Sequence, residues 1–138
     1  FLDEVTKILG IHGKLKKYPS ELSGGEQQRV AIARSVLAKP QIIFADEPTG
    51  NLDKKTGEDT LELLETCSKK FGATLIVVTH DLDIARKSDV VIHIEDGKIV
   101  GKGTHEELIK NNETYKQIAL SQLSEEELNL NKGGNEHE

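Results

Sequence analysis

The apolar positions of the chain switch between the spacing of helices and the continuous runs of strands. A Ser-Gly-Gly turn at residues 23–25 is followed by one apolar helical face: Val30, Ile32, Ala33, Val36 and Leu37. Two apolar runs of strand length follow at residues 41–45 and 74–79, separated by a helical pattern that ends near Lys70. This order predicts a strand–helix–strand unit with two parallel, buried strands, and therefore an α/β fold.

The remaining segments read as short elements around this unit. A helix and a loop are expected over residues 1–18, and a short helix over residues 81–87. Asp96-Gly97 between two β-runs predicts a hairpin. A capping pattern at Thr104 starts another helix, a further helix is expected from Glu113 to Leu123, and the residues from Asn129 onward are expected to be disordered.

Composition narrows the classes of function. The chain has 138 residues and a net charge of -6, and it lacks the clustered lysines and arginines that bind a nucleic-acid backbone. Its apolar runs are shorter than the roughly 20 residues that cross a bilayer, and no signal peptide is expected. The single cysteine, Cys67, is expected in the core. His12 is expected to be an exposed loop residue, and His93 a packed or exposed strand residue.

The stretch Leu22–Asp53 holds the residue types that handle phosphates and metals. The glycine turn offers free N–H groups at a helix N-terminus, which suit a phosphate but also describe an ordinary helix cap. Asp46 and Glu47 follow the first strand, at the sheet edge where ligands bind in α/β folds, so one carboxylate can face a metal and the other a water. His80 follows the second strand and is expected at the same edge.

Three motifs in this stretch resemble those of a known family. Residues 22–26, LSGGE, resemble the signature of ATP-binding cassette (ABC) transporters, with Glu26 where Gln is the commoner residue. Residues 42–47, IIFADE, resemble the Walker B strand with its following glutamate, and residues 50–53, GNLD, resemble the D-loop. The chain thus resembles the nucleotide-binding subunits of ABC transporters. Its segment DEPTGNLD is most similar to the macrolide-export and lipoprotein-release branch.

The resemblance implies a partial P-loop NTPase fold, a parallel sheet flanked by helices that lacks the phosphate-loop strand. Residues 1–39 would belong to the helical subdomain, residues 40–110 to the C-terminal part of the RecA-like core, and residues 111–138 to a C-terminal helix and tail. The chain contains no GxxxxGK[ST] segment. The missing strand would lie between the strands at residues 74–79 and 90–94. We therefore expect an open sheet that self-associates or closes by pairing foreign to the family.

The resemblance also implies a division of roles. Asp46 would hold Mg²⁺ through water, Glu47 would orient or deprotonate the attacking water, and His80 would reach the terminal phosphate. One group would contact ATP held by the opposite subunit: Ser23, Gly24, Gly25 and Glu26. A second group would lie at the subunit junction: Asn51, Leu52 and Asp53.

The expected function is that of an ATP-hydrolysing subunit at the cytoplasmic face of a membrane, present here as a C-terminal fragment. Its partners would be a second ATP-binding subunit, identical or different, and transmembrane permease subunits or a fused domain. Alone, the chain is expected to be inactive. Two alternatives stay open, a lobe of a DNA-repair or chromosome-maintenance ATPase and a non-catalytic module that completes another subunit's site. The transported substrate and the direction of transport are not encoded in these residues.

Overall fold

The computed structural model describes residues 1–134, with side chains described through residue 124. It divides into two compact units, the first unit spanning Phe1–Thr79 and the second unit beginning at His80. The elements of the first unit are α1 (Leu2–Ile8), α2 (Gly24–Leu37), β1 (Ile42–Asp46), α3 (Lys54–Lys70) and β2 (Thr74–Val78), with 3₁₀ turns at His12–Lys14 and Pro19–Glu21. The elements of the second unit are α4 (Leu82–Lys87), β3 (Val91–Glu95), β4 (Lys98–Gly103), α5 (His105–Asn111) and α6 (Glu113–Gly134).

The first unit contains the expected strand–helix–strand arrangement. β1 and β2 pair in parallel, in a register that places Ile42 opposite Thr74 and Asp46 opposite Val78. Between them, α3 ends at Lys70, and Gly72 takes the left-handed conformation (φ 71°) that commonly follows a helix C-terminus. The two strands therefore end together, at one edge of the sheet.

The core of the first unit lies between its helices and one face of this sheet. Its buried members are Val5, Leu9, Ile11, Ile32, Ala33, Val36, Ile43, Leu64 and Cys67. The apolar face predicted for α2 is confirmed, since three of its residues are buried and the other two pack against the cluster. Cys67 is a fully buried core residue, as expected, and burial raises the pKa of its thiol. His12 is exposed, as expected, and its Nδ1 atom lies 3.0 Å from the Thr6 hydroxyl.

The expectation that β1 is a buried strand is wrong for one of its faces. Ile43 is only 5% exposed, whereas Ile42 is 49% and Phe44 is 72% exposed. Successive side chains of a strand point to opposite faces, and the core cluster of the first unit contacts only the face that carries Ile43. On β2, Ile76 and Val78 are likewise exposed. The apolar run at residues 41–45 therefore has the composition of a strand covered on both faces, although the first unit covers only one.

The second unit contains the predicted hairpin. Asp96 and Gly97 both have positive φ angles, 48° and 76°, as the two central residues of a type I′ turn require. β3 and β4 pair antiparallel, with an irregularity between His93 and Ile94. His93 is packed, as expected, and its ring meets that of Tyr115 edge to face. The Tyr115 hydroxyl also lies 2.6 Å from Nδ1 of His105, and burial lowers the pKa of that histidine.

The C-terminal helix is longer than the sequence suggested. It was expected to end at Leu123, but α6 continues to Gly134 and so includes the first residues of the segment expected to be disordered. The rest of that segment, residues 135–138, lies outside the described residues. None of the helices described over residues 1–134 combines the length and the apolar character needed to span a membrane.

The four strands form two separate sheets, β1 with β2 and β3 with β4. An opening of the sheet where the phosphate-loop strand would lie stays a prediction. Pairing of β1 or β2 with β3 or β4, which would be one way of closing the gap, does not occur among residues 1–134. Self-association remains a prediction.

Candidate functional site

The signature turn, Ser23–Glu26, is a capping box at the N-terminus of α2. The Ser23 hydroxyl accepts a hydrogen bond from the Glu26 N–H (3.1 Å), and the Glu26 carboxylate accepts one from the Ser23 N–H (3.2 Å). The two bonds satisfy two backbone donors and fix the entry into the helix. The ordinary-cap reading of this turn is therefore correct, and it is compatible with a binding role because it leaves other donors of the first turn unused.

Gly24 and Gly25 supply those other donors. They are the first two residues of α2, so their N–H groups have no acceptor within the helix and lie at the positive end of its dipole. A Cβ atom added to Gly24 would meet nothing within 4 Å, and one added to Gly25 would meet only the Arg29 guanidinium at 4.0 Å. The space above this turn is open, so an anion can approach the backbone closely.

Glu26 brings a negative charge to the same turn. Its hydrogen bonds with Ser23, together with the nearby Lys14 and Lys17, hold the pKa of its carboxyl below the usual range. The Lys14 Nζ atom lies 3.7 Å from the second carboxylate oxygen of Glu26. The turn therefore carries an ionised carboxylate that is compensated by a lysine from outside the helix.

The carboxylates at the end of β1 form the second part of the site. Asp46 is the last residue of the strand and Glu47 follows it, both with exposed side chains. Glu47 has a left-handed backbone (φ 45°), an uncommon and strained conformation for a residue with a side chain. Its N–H donates to the Val78 carbonyl (2.8 Å), which ties this turn to the end of β2.

Thr79 joins the two strand ends through its side chain. Its hydroxyl lies 3.4 Å from a carboxylate oxygen of Glu47, at the outer limit of a hydrogen bond. The polar group from the end of β2 that lies beside Glu47 is therefore Thr79. The expectation named His80, which has an exposed side chain and is the first residue of the second unit, so its position at this edge stays a prediction. Within the second unit, its carbonyl accepts a 2.7 Å hydrogen bond from the Gln122 side chain.

The turn 49–53 leads from the carboxylates into α3. The Leu52 N–H donates to the Thr49 carbonyl (3.2 Å), and the Asp53 carboxylate caps α3 by accepting from the Thr56 N–H (3.2 Å). Hydrogen bonds from Thr56 lower the pKa of Asp53. A Cβ atom on the buried Gly57 would lie 3.2 Å from Thr49, so this glycine allows the turn to pack tightly on the helix. Asn51 is exposed in the same turn.

The structure thus gathers the predicted site residues into groups that are each locally built. Ser23 to Glu26 share one turn, Asp46 and Glu47 share a strand end, and Asn51 to Asp53 share the turn that follows. The sequence analysis did not identify three residues that contact the candidate site residues: Lys14, Gly57 and Thr79. Only Gly57 left a signal in the sequence, as a glycine inside a helical pattern, since the other two act through contacts between segments distant in the chain.

The strand end fits a magnesium ion shared with a phosphate. Among the described residues, no group of three or more histidine, cysteine, aspartate and glutamate side chains is arranged to hold a metal. Mg²⁺ with a nucleotide needs no such group, because one or two carboxylates, waters and phosphate oxygens complete its shell. The exposed Asp46 carboxylate is a ligand of this kind.

Comparisons with known proteins support the resemblance read from the motifs. The family model described as ABC transporter matches residues 2–50. The chain is 49% identical over 98 residues to the lipoprotein-releasing system ATP-binding protein LolD of Syntrophotalea carbinolica, covering 71% of this chain and 43% of that protein. It is 44% identical over 101 residues to the macrolide export ATP-binding/permease protein MacB of Rhodopirellula baltica, covering 71% of this chain and 15% of that protein.

A solved structure shares the fold. The structure of a bacterial Atm1-family ABC exporter with ATP bound superposes with a TM-score of 0.69 at 29% sequence identity, over 88% of this chain and 23% of that chain. The chain spans less than half the length of the LolD relative. Sequence and fold together support the resemblance to an ABC transporter ATP-binding subunit, near the macrolide-export and lipoprotein-release branch.

Proposed function

We propose that the complete protein binds and hydrolyses ATP to power transport across a membrane, and that this chain supplies two separate half-sites for the nucleotide. The observation that carries the proposal is the pair of exposed carboxylates at the end of β1, with Glu47 held in a left-handed turn beside Thr79. A parallel strand that ends in two carboxylates is the arrangement phosphoryl transfer needs, one for a metal and one for water.

Asp46 is the proposed magnesium ligand. Its carboxylate is exposed at the last position of β1, where waters and phosphate oxygens have access to it. Mg²⁺, when bound, neutralises part of the negative charge on the phosphates. Asp46 would hold the ion through water, because magnesium gives up its hydration shell reluctantly.

Glu47 is the proposed general base. The hydrogen bond from its N–H to the Val78 carbonyl holds its backbone at the sheet edge, and its carboxylate lies 3.4 Å from the Thr79 hydroxyl. A carboxylate at this position can orient the attacking water and accept its proton. His80, which follows Thr79 in the sequence, is proposed to contact the terminal phosphate and the same water.

The signature turn is proposed to serve a nucleotide bound to a second subunit. Ser23, Gly24, Gly25 and Glu26 would face its terminal phosphate, while Asn51, Leu52 and Asp53 would lie at the junction between the subunits. Hydrolysis would then require a dimer of ATP-binding subunits. The open space above Gly24 supports this assignment, since it is accessible to a ligand held by another chain.

The complete protein is further proposed to act at the cytoplasmic face of the membrane with transmembrane permease subunits or a permease domain. The relatives named above are a lipoprotein-releasing ATP-binding protein and a macrolide export ATP-binding/permease protein, which favours transport over DNA repair. The 138 residues contain no GxxxxGK[ST] segment, so the isolated chain is expected to be inactive and every activity test uses the complete protein.

The most direct test of the catalytic assignment is Glu47→Gln in the complete protein. Loss of a positioned base is expected to slow ATP turnover by about 10²–10⁴-fold while nucleotide binding persists. Steady-state phosphate release and binding of a fluorescent ATP analogue measure the two quantities. Glu58→Gln, an exposed change of the same charge on α3, is the matched control. Turnover of Glu47→Gln equal to that of this control would exclude the proposed role.

A further inference from the structure

We propose that Lys14 is a positioning residue for phosphate recognition at the signature turn, where it compensates the charge of Glu26. The inference rests on the proposed function, which places a phosphate over Gly24 and Gly25. It concerns a different question, namely how a turn that carries its own carboxylate accepts a second anion.

Each of the two carboxylate oxygens of Glu26 contacts a different partner. Oε1 accepts the hydrogen bond from the Ser23 N–H (3.2 Å), and Oε2 lies 3.7 Å from Nζ of Lys14. The Glu26 side chain is 20% exposed, and each of its two oxygens has a partner. The carboxylate therefore has a fixed position within the first turn of α2.

The backbone of Lys14 is held in place by the segment to which it belongs. It ends the 3₁₀ turn His12–Lys14, which directly follows Ile11, a core residue that is 2% exposed. The Lys14 N–H donates to the Ile11 carbonyl (2.9 Å). The lysine is thus anchored near α2 by residues outside that helix, and its side chain is 39% exposed.

The electrostatic consequence concerns the phosphate. A carboxylate in the first helical turn uses part of the favourable helix dipole and repels a second anion. Hydrogen bonds from Ser23 keep Glu26 ionised, so protonation does not remove the repulsion at neutral pH. The positive charge of Lys14 offsets it, which allows the N–H groups of Gly24 and Gly25 to attract the phosphate.

This account predicts that Lys14 matters only while residue 26 carries a charge. The side chain introduced by Glu26→Gln can still accept the Ser23 N–H bond, and it brings no charge for Lys14 to offset. Lys14→Met should therefore weaken nucleotide use in the Glu26 protein and have no further effect in the Glu26→Gln protein. A role for Lys14 that does not act through Glu26 would give the same loss in both backgrounds.

The test is a double-mutant cycle in the complete protein with Lys14→Met, Glu26→Gln and the double variant. Lys14→Met alone is expected to raise KM for ATP about three- to tenfold at low salt, with kcat almost unchanged and a smaller effect at high salt. Lys14→Arg should restore KM. Lys16→Met is the matched control, because Lys16 is an exposed lysine two residues further along.

The outcomes separate this inference from the proposed function. Equal KM changes on removing Lys14 from the Glu26 protein and from the Glu26→Gln protein would overturn it, as would an equal change in Lys16→Met. If Glu47→Gln abolishes turnover and the cycle is additive, the proposed function stands and only the role of Lys14 fails. If Glu47→Gln retains full turnover, the proposed function itself fails.

Discussion

The signature turn and the end of β1 are built in opposite ways. The signature turn is stabilised within four consecutive residues, since Ser23 and Glu26 cap each other. The β1 end depends on residues far along the chain, because Glu47 is tied to Val78 by its N–H and contacts Thr79 by its carboxylate. It also includes a strained backbone at Glu47. Capping of the signature turn thus needs only local sequence, whereas placement of the Glu47 carboxylate needs tertiary structure.

Substitutions on the two faces of β1 should have the largest effect on stability, and they test how strongly the β1 end depends on packing. Ile43→Ala should lower the free energy of unfolding of the chain by about 2–4 kcal/mol, because it leaves a cavity between the strand and the helices. Phe44→Ala is the matched control on the opposite face, where the side chain is 72% exposed, and should cost only about 0.5 kcal/mol. Urea unfolding followed by circular dichroism measures both values. Equal losses would show that β1 is not anchored by one face.

A smaller effect tests the strain at Glu47. Glycine takes the left-handed backbone without a steric penalty, so Glu47→Gly should raise the free energy of unfolding by about 1 kcal/mol. Asp46→Gly, which removes the same charge from an extended strand position, should lower it by about the same amount. The same urea titration compares the two variants. Destabilisation by Glu47→Gly would mean that the contacts of the Glu47 side chain outweigh the backbone strain.

The smallest effect concerns the local turn and its dependence on pH. The folded state holds the pKa of Glu26 below its usual range, so the unfolded chain binds more protons as the solution is acidified. This contribution to stability is complete above the unfolded pKa and is lost as the pH falls through the lower, folded pKa. Thermal unfolding between about pH 6 and pH 3 should therefore show a smaller loss of stability in Glu26→Gln than in the unmodified chain. An identical loss in both would exclude Glu26 as a contributor.

Much of both units could be predicted from the sequence because the signals are local. The helical face of α2, the two apolar runs and the Asp96-Gly97 turn each lie within a short window, and the structure contains the corresponding elements. The positions of Asp46 and Glu47 after a parallel strand followed from the same patterns. For these features, periodicity and turn chemistry contain enough information.

Other features depend on contacts that a single sequence does not display. The apolar composition of β1 suggested burial of both faces, but the structure covers only the face of Ile43. The contact of Thr79 with Glu47 joins two strand ends 32 residues apart. Lys14 approaches Glu26 because a separate 3₁₀ turn is anchored by Ile11, and no pattern near the signature reveals this. The extent of α6 past Asn129 was also missed, because the composition of that segment is that of a disordered tail.

The central claim, that the chain carries two half-sites serving different nucleotides, is tested most directly by mixing two inactive forms of the complete protein. One form carries Glu47→Gln and the other carries Gly25→Asp, which places a charged side chain at the signature turn. In a mixed dimer, one composite site combines an intact Glu47 from one subunit with an intact signature turn from the other. We predict that the mixture recovers magnesium-dependent ATP turnover that neither form shows alone. Dimers that exchange subunits and still show no recovered turnover would contradict the division into half-sites.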